Sequence, residues 1–428
     1  MTEKIDWYDE FVELNYTPSK DDLICLYYFE PAKDITPKEA AGRIASESSA
    51  GTWTTLHELP ERVSKIKARA FELKGKYVKV AYPIDLWEPG NAPQLLSGIA
   101  GNIFGMKALR NLRLMDASLP AKYIKSFRGP EHGIDGIRSL LEVEKRPIAG
   151  AVPKPKIGFS SSEHAHVAYE TWMGGFDLVK DDENLTSTSF NRFEDRVVKM
   201  AKLRDRAEKE TGEQKDALLN ITGETKEMIR KAKLLHDSGW RFAMIDVVTC
   251  GTASVQTLRE VCGDLGIAIH AHRAMHAAFD RNPKHGISMY FLAKLMRLIG
   301  VDEIHVGTAI GKLVGSKKDV VSIANMLRVA HVEEPLLQDW GSIKSVLPVS
   351  SGGLHPGLIP MVMNILGNDC TLLVSGGIHG HPKGTRAGAA AAMQAIEATM
   401  EGIDLKDYAK KHKELQQALD KWGYFKPR

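Results

Sequence analysis

The sequence predicts an α/β protein in which a C-terminal (β/α)8 barrel of the TIM type follows an N-terminal α+β domain. Three observations predict it. The 428 residues exceed the roughly 250–300 that a single core usually serves, so two domains are expected. From Ile148 onward, eight short apolar runs alternate with helical stretches, the texture of βα units around a parallel sheet. A doubly wound open sheet is the rival, but it would need a G-x-G-x-x-G turn after an early strand, and none follows one.

Residues 1–125 are read as the α+β domain, with strand-like runs at 23–29 and 76–84 and amphipathic segments at 37–48 and 95–101. Residues 120–136, rich in proline, glycine and charge, read as the connection to the second domain, 126–428, which ends in a helical tail. Its candidate strands are 148–152, 176–180, 217–222, 242–248, 267–270, 303–306, 345–349 and 371–374. Between and after them, helices are expected at 163–173, 190–211, 224–238, 254–263, 288–298, 318–329, 358–366 and 387–400.

Composition excludes several classes. The formal charge of +3 comes from 57 basic and 54 acidic residues interspersed along the chain, so no nucleic-acid partner is expected. The most basic stretch, 202–215, carries Arg204 and Arg206 but also Asp205, Glu208, Glu210 and Glu213, and reads as a solvated helix face. Cys25, Cys250, Cys262 and Cys370 show no C-x-x-C spacing, which points to neither zinc nor disulfides and fits a reducing cytoplasm. No apolar run approaches the ~18 residues of a membrane span, and no export signal is expected.

In a (β/α)8 barrel the chemistry sits at the carboxyl ends of the strands. Polar residues are dense there: Lys154 and Lys156 after strand 1, Lys180 to Asn184 at strand 2, and His270, His272 and Arg273 at strand 5. Strand 6 ends in His305 and a glycine-rich stretch around Lys312; strand 7 leads to Ser351, Gly352 and Gly353; strand 8 leads to Ser375, Gly376 and Gly377. The two Gly-Gly pairs could be plain tight turns. Their position after strands 7 and 8, with Arg273 and His305 available for a second anion, favours phosphate binding.

Asp182 and Glu183 offer the hard oxygen ligands that Mg²⁺ requires. Lys180 beside them would ordinarily form an ion pair. If its amine reacts with CO₂ instead, the carbamate supplies a further anionic ligand. With a reference pKa of ~10.4, only about one lysine in a thousand is neutral near pH 7.4, and nearby carboxylates favour the ammonium further. Metal must therefore trap the product, so activation requires CO₂ and Mg²⁺ together. Lys312 lies between Gly307, Gly311 and Gly315, which could hinge a lid. His272 and His276 would share a helical face, yet no Glu at 273 completes H-E-x-x-H, so zinc is not expected, and His276 and His285 are read as structural.

The stretch Gly174-Gly175-Phe176-Asp177-Leu178-Val179-Lys180-Asp181-Asp182-Glu183-Asn184, with Lys154-Pro155-Lys156, His272-Arg273-Ala274-Met275-His276 and Gly311-Lys312-Leu313-Val314-Gly315, resembles the RuBisCO large subunit. The likeness runs from about 47 to 384 in the family's order. It implies Mg²⁺ ligated by carbamylated Lys180, Asp182 and Glu183, with the carbamate removing the C3 proton of ribulose 1,5-bisphosphate. The resulting enediolate takes CO₂, or O₂ in competition, and carboxylation gives two 3-phosphoglycerate. By the same resemblance Lys154 handles protons at C2, Lys156 polarises the substrate near that atom, and His272 lies near the C3 hydroxyl. Lys312 would steady the incoming CO₂. Arg273 and His305 would hold one phosphate, and Ser351, Gly352, Gly353, Gly376 and Gly377 would make the hydroxyl and phosphate contacts of strands 7 and 8. Glu47, Thr52, Trp53 and Asn102 would complete a neighbouring subunit's site, implying a homodimer or a multiple of it.

Two departures stand out: Val152 occupies a position where the family usually has threonine, and Ser375 one where many members have glycine. A short N-terminus, the stop after Arg428 and no expected small subunit resemble the archaeal (form III) group, which implies a role in nucleotide (AMP) salvage. Two rivals are a RuBisCO-like enolase or isomerase acting on a sugar phosphate and a non-catalytic metabolite-binding barrel.

Overall fold

The computed structural model describes residues 6–52, 60–308, 310 and 316–424. The chain forms two compact units: residues 1–128, 275–299 and 329–343 make the first, and 129–274, 300–328 and 344–428 the second. Two stretches placed with the barrel by the sequence reading, 275–299 and 329–343, thus group with the N-terminal residues.

The first unit is built on a five-stranded sheet in the order Gly286–Ile287, Leu109–Ser118, Leu23–Pro31, Tyr77–Tyr82, Arg69–Lys74. The pairings are antiparallel except the short first one, which is parallel. The helix Pro37–Glu47 starts at Thr36, whose side chain accepts from the Glu39 N–H, a standard N-cap. Residues 275–299 belong here for a reason invisible in local sequence. Lys294 on the helix Met289–Ile299 buries its ammonium against Asp116, 2.5 Å away, with both side chains fully buried.

The second unit is the barrel. Its parallel strands, numbered one to eight, are Ile148–Ala151, Leu178–Lys180, Asp216–Leu218, Phe242–Asp246, Ala268–His272, Glu303–His305, Leu347–Ser351 and Thr371–Leu373. Each pairs with the next, strand 8 returns to strand 1, and strands 3 and 4 are joined beyond the end of strand 3, where Met244 N–H donates to Leu219 O and Ile221 N–H to Met244 O. Every position of strands 1 to 4 is buried, which is why they read as continuous apolar runs with no alternation.

At the amino ends of the strands, buried carboxylates serve the fold. Asp177 accepts two bonds of 2.7 Å from Arg146 and one of 2.8 Å from Ala149 N–H. Asp302 accepts from the N–H groups of His132, Gly133 and Ile269, and Asp216 pairs with Arg241. Part of the expected connection is in fact a helix, Gly133–Leu141, whose Ile137 and Leu141 share one buried cluster with Ile148, Leu178, Leu218 and Phe242. Each such fully buried aliphatic side chain contributes about 1.5–3 kcal/mol.

The helix Phe193–Thr211 corrects the reading of 202–215 as wholly solvated. Arg204 is buried with its guanidinium over the Trp240 ring, and Lys215, fully buried, donates to Phe176 O. Their long apolar stems cover core while the charged ends find partners.

Candidate active site

Strand ends bring the expected side chains of the barrel to one end of it. Lys180 is the last residue of strand 2, His272 of strand 5, His305 of strand 6 and Ser351 of strand 7. Lys154 Nζ lies 3.7 Å from Asp182 Oδ2, and Lys156 Nζ lies 3.9 Å from the same oxygen and 3.0 Å from Glu183 Oε1. His272 Nε2 faces Glu183 Oε2 at 3.9 Å. Lysines from strand 1, carboxylates from strand 2 and an imidazole from strand 5 therefore converge.

Asp182 is buried, and its Oδ2 has no hydrogen-bond partner, while Oδ1 takes both the N–H and the side-chain amide of Asn184. Lys180 is 1% exposed and donates to Asp181 O at 2.9 Å. Burial lowers its pKa, and the opposing pull of Glu183, Asp246, Asp182 and Asp181 does not restore it. This alters the expectation that neighbouring carboxylates would hold it as ammonium. Burial also lowers Lys154. Lys156 is instead raised by its bond to Glu183. Burial raises Glu183, but a backbone N–H, His272 and the lysines outweigh it and bring the group down to about 2. Among the described residues no group of three His, Cys, Asp or Glu side chains is arranged to hold a metal by itself.

His272 is oriented by Asp246, the last residue of strand 4, through a 2.7 Å contact from Nδ1 to Oδ1. That short contact to a carboxylate outweighs the 3.3 Å approach of the Ala274 N–H, so the Nδ1 proton points at Asp246 and Nε2 carries the lone pair. Burial holds the ring neutral. Sequence reasoning missed Asp246 because the candidate strand ran to 248 and hid it mid-strand. His276 is not on a helical continuation from His272: strand 5 ends at His272, and the helix His276–Asp280 starts afresh with His276 Nδ1 3.2 Å from Asp280. His285 Nδ1 accepts from Leu112 N–H within the first unit.

The loops after strands 7 and 8 are held by their glycines. Gly352 and Gly353 have φ of 115° and 77°, a region that side-chain-bearing residues rarely adopt. A Cβ on Gly377 would lie 2.4 Å from Leu354 O, so the two loops pack backbone to backbone. Gly376 has open space where its Cβ would be, and Arg273, buried, has its guanidinium 3.2 Å from where a Cβ on Gly307 would sit.

The two departures from the family pattern touch each other. Val152 N–H donates to Ser375 Oγ at 3.0 Å, and Val152 O receives His379 Nε2 at 3.0 Å, while His379 Nδ1 meets Thr385 Oγ1 at 3.1 Å. Burial, with help from Lys154, pushes His379 down to about 4. Because the folded value lies below the unfolded one of ~6.5, the stabilisation is complete above pH 6.5 and is lost as pH falls toward 4. Urea unfolding of wild type and His379→Gln across this window is expected to show wild type losing about 3 kcal/mol more than the variant. Equal losses would contradict it.

Glu47, Thr52 and Asn102 belong to the first unit. Glu47 closes the helix Pro37–Glu47, Thr52 O accepts from Trp7 Nε1 at 2.7 Å, and Asn102 opens the short 3₁₀ turn Asn102–Gly105. Trp53 and Lys312 lie outside the described residues. Among the described residues no helix is long and apolar enough to cross a membrane.

Two family models match the chain: "Ribulose bisphosphate carboxylase large chain, catalytic domain" over residues 133–422 and the N-terminal domain of the same family over 10–123. A ribulose bisphosphate carboxylase of Pyrococcus furiosus is 53% identical over 429 residues, covering 99% of this chain and 100% of the relative. One from Methanosarcina acetivorans is 49% identical, covering 96% and 99%. Among solved structures, an octameric RuBisCO from Pyrococcus horikoshii OT3 complexed with sulfate superposes with a TM-score of 0.94 at 51% identity, covering 99% of this chain and 98% of that one. A dimeric archaeal RuBisCO from Hyperthermus butylicus gives 0.93 at 48%, covering 98% and 100%.

Proposed function

Since the chain belongs to the ribulose bisphosphate carboxylase large-chain family and is a carboxylase enzyme, we propose that it carboxylates ribulose 1,5-bisphosphate to two 3-phosphoglycerate, with O₂ competing for the enediolate. The observation that carries the chemistry is the pairing of Asp182 Oδ2, buried and without a donor, with a Lys180 amine that burial holds toward its neutral, CO₂-reactive form. Asp182, Glu183 and the carbamate of Lys180 would hold Mg²⁺, which when bound supplies Lewis-acid polarisation of the substrate oxygens.

The chain's own groups divide the remaining work. His272, with Nδ1 fixed by Asp246, offers the Nε2 lone pair to the substrate's C3 hydroxyl. Lys154, lowered by burial, gives and takes a proton at C2 more readily than an exposed lysine would. Lys156, kept charged by Glu183, polarises the oxygen beside that carbon. Arg273 takes one phosphate, His305 having both ring nitrogens committed to His270 and Ser351, and the Gly352-Gly353 and Gly376-Gly377 backbones take hydroxyl and phosphate oxygens of the other end. Lys312 steadies the incoming CO₂. Glu47, Thr52, Trp53 and Asn102 serve the site of a partner subunit in a dimer or multiple of dimers, in line with the octameric and dimeric relatives. No small subunit is needed. The archaeal character of the relatives supports a role in nucleotide (AMP) salvage.

The test is to preincubate with bicarbonate and Mg²⁺, add ribulose 1,5-bisphosphate and labelled CO₂ under anoxia, and measure acid-stable label in 3-phosphoglycerate. Label in product is expected. If none forms while Mg²⁺ binding still depends on CO₂, an enolase acting on another sugar phosphate becomes the reading.

A further inference from the structure

Behind the strand ends, side chains from four strands form a single hydrogen-bonded line. Thr371 Oγ1, on strand 8, lies 2.6 Å from Glu303 Oε1 at the start of strand 6. Glu303 Oε2 lies 2.8 Å from His270 Nδ1 on strand 5. His270 Nε2 lies 2.9 Å from His305 Nε2, and His305 Nδ1 lies 2.8 Å from Ser351 Oγ at the end of strand 7. Thr371, Glu303 and His270 are 0% exposed, and His305 is 5% exposed. Glu303 and His270 are therefore too deep to touch a substrate, whereas Ser351 is half-buried at the mouth.

Counting protons gives the line a direction. Between a carboxylate and an imidazole the shared proton stays on the stronger base, so His270 Nδ1–H donates to Glu303. Burial holds both rings neutral, and for His305 the neighbouring Arg273 guanidinium adds to it. A neutral His270 protonated on Nδ1 has only a lone pair on Nε2, so His305 Nε2 must be the donor across the 2.9 Å contact. The other nitrogen of His305, Nδ1, is then an acceptor. The Ser351 hydroxyl has to give its single proton to it.

We propose that Glu303 and His270 are positioning residues that fix the tautomer of His305, so that Ser351 points its proton inward and meets the substrate only as a hydrogen-bond acceptor. This rests on the carboxylase reading, in which Ser351 contacts a sugar hydroxyl. A serine committed in this way selects a hydroxyl on the ligand and rejects a carbonyl or a phosphate oxygen at the same point, because two facing lone pairs repel. Reversing the line would reverse the preference.

Two measurements test it. In wild type labelled with ¹⁵N-histidine, long-range ¹H–¹⁵N correlation spectra should show His270 protonated on Nδ1 and His305 on Nε2. Assignment comes from loss of peaks in His270→Phe and His305→Phe. Glu303→Leu removes the acceptor and is expected to raise KM for ribulose 1,5-bisphosphate about tenfold with a smaller fall in kcat. Glu303→Gln, whose amide oxygen can still accept from His270, should restore KM. The opposite tautomers in wild type, or a folded Glu303→Leu with unchanged KM, would overturn the proposal; if that variant does not fold, the wild-type spectra decide alone. An absence of carboxylation by wild type would reject the assigned reaction, while the tautomers are read independently of it.

Discussion

Lys180→Ala is expected to lower carboxylation by at least about 10³-fold, which corresponds to ~4 kcal/mol of lost transition-state stabilisation. The amine is almost fully buried, bonds only to Asp181 O among its hydrogen-bond contacts, and is lowered by burial, which favours the neutral form that combines with CO₂. Alanine leaves Asp182 and Glu183 with no third anionic ligand, and Asp182 Oδ2 stays buried without a donor. Mg²⁺ affinity should therefore fall and lose its dependence on CO₂. Isothermal titration with Mg²⁺, with and without bicarbonate, beside the labelled-product assay, separates the two effects. A variant that keeps its activity, or wild-type Mg²⁺ binding that ignores CO₂, would refute the carbamate.

The barrel was legible because each strand is a short run buried throughout or at all but its last residue, and burial is what apolar patterning reports. It does not report where a hydrogen-bond ladder stops. Strand 4 ends at Asp246, two residues before its predicted end, and strand 5 continues two residues past 270 to His272. Those small shifts decided which polar groups stood at the mouth, and they hid the partner of His272. Lys154, Lys156, Asp182, Glu183, His272, His305 and Ser351 could be placed from the rule that strand ends carry the chemistry. Their supports could not. Glu303 lies at the opposite end of its strand from His305, and Asp116 and Lys294 are so far apart in sequence that only the folded first unit brings them together.

The same distinction between a group at the mouth and its support underlies the second large effect. Asp181, flanked by Lys180 and Asp182, is 1% exposed. Its Oδ2 receives Arg196 Nε at 3.1 Å and Asn220 N–H at 3.0 Å and lies 3.0 Å from Arg196 Nη2, while Oδ1 lies 3.1 Å from His164 Nε2 without a hydrogen bond. Arg196, itself fully buried, also donates to Asn191 and to Thr186 O. Arg196→Met keeps most of the volume but strands the carboxylate and two further acceptors, so a destabilisation of about 3–5 kcal/mol is expected. Asp181→Asn in that background removes the stranded charge while its side-chain oxygen can still accept from Asn220 N–H, and should recover part of the loss. Urea unfolding of wild type, the two single variants and the double variant gives the coupling directly, and a value of at least ~2 kcal/mol is expected. Because Asp181 fixes the backbone between two proposed metal ligands, Mg²⁺ affinity of the single variant Arg196→Met should also drop about 10- to 100-fold. If it unfolds like wild type, or if the double variant is no more stable than it, Arg196 packs beside the loop without holding it, and the geometry of Lys180, Asp182 and Glu183 must be set by the barrel strands alone.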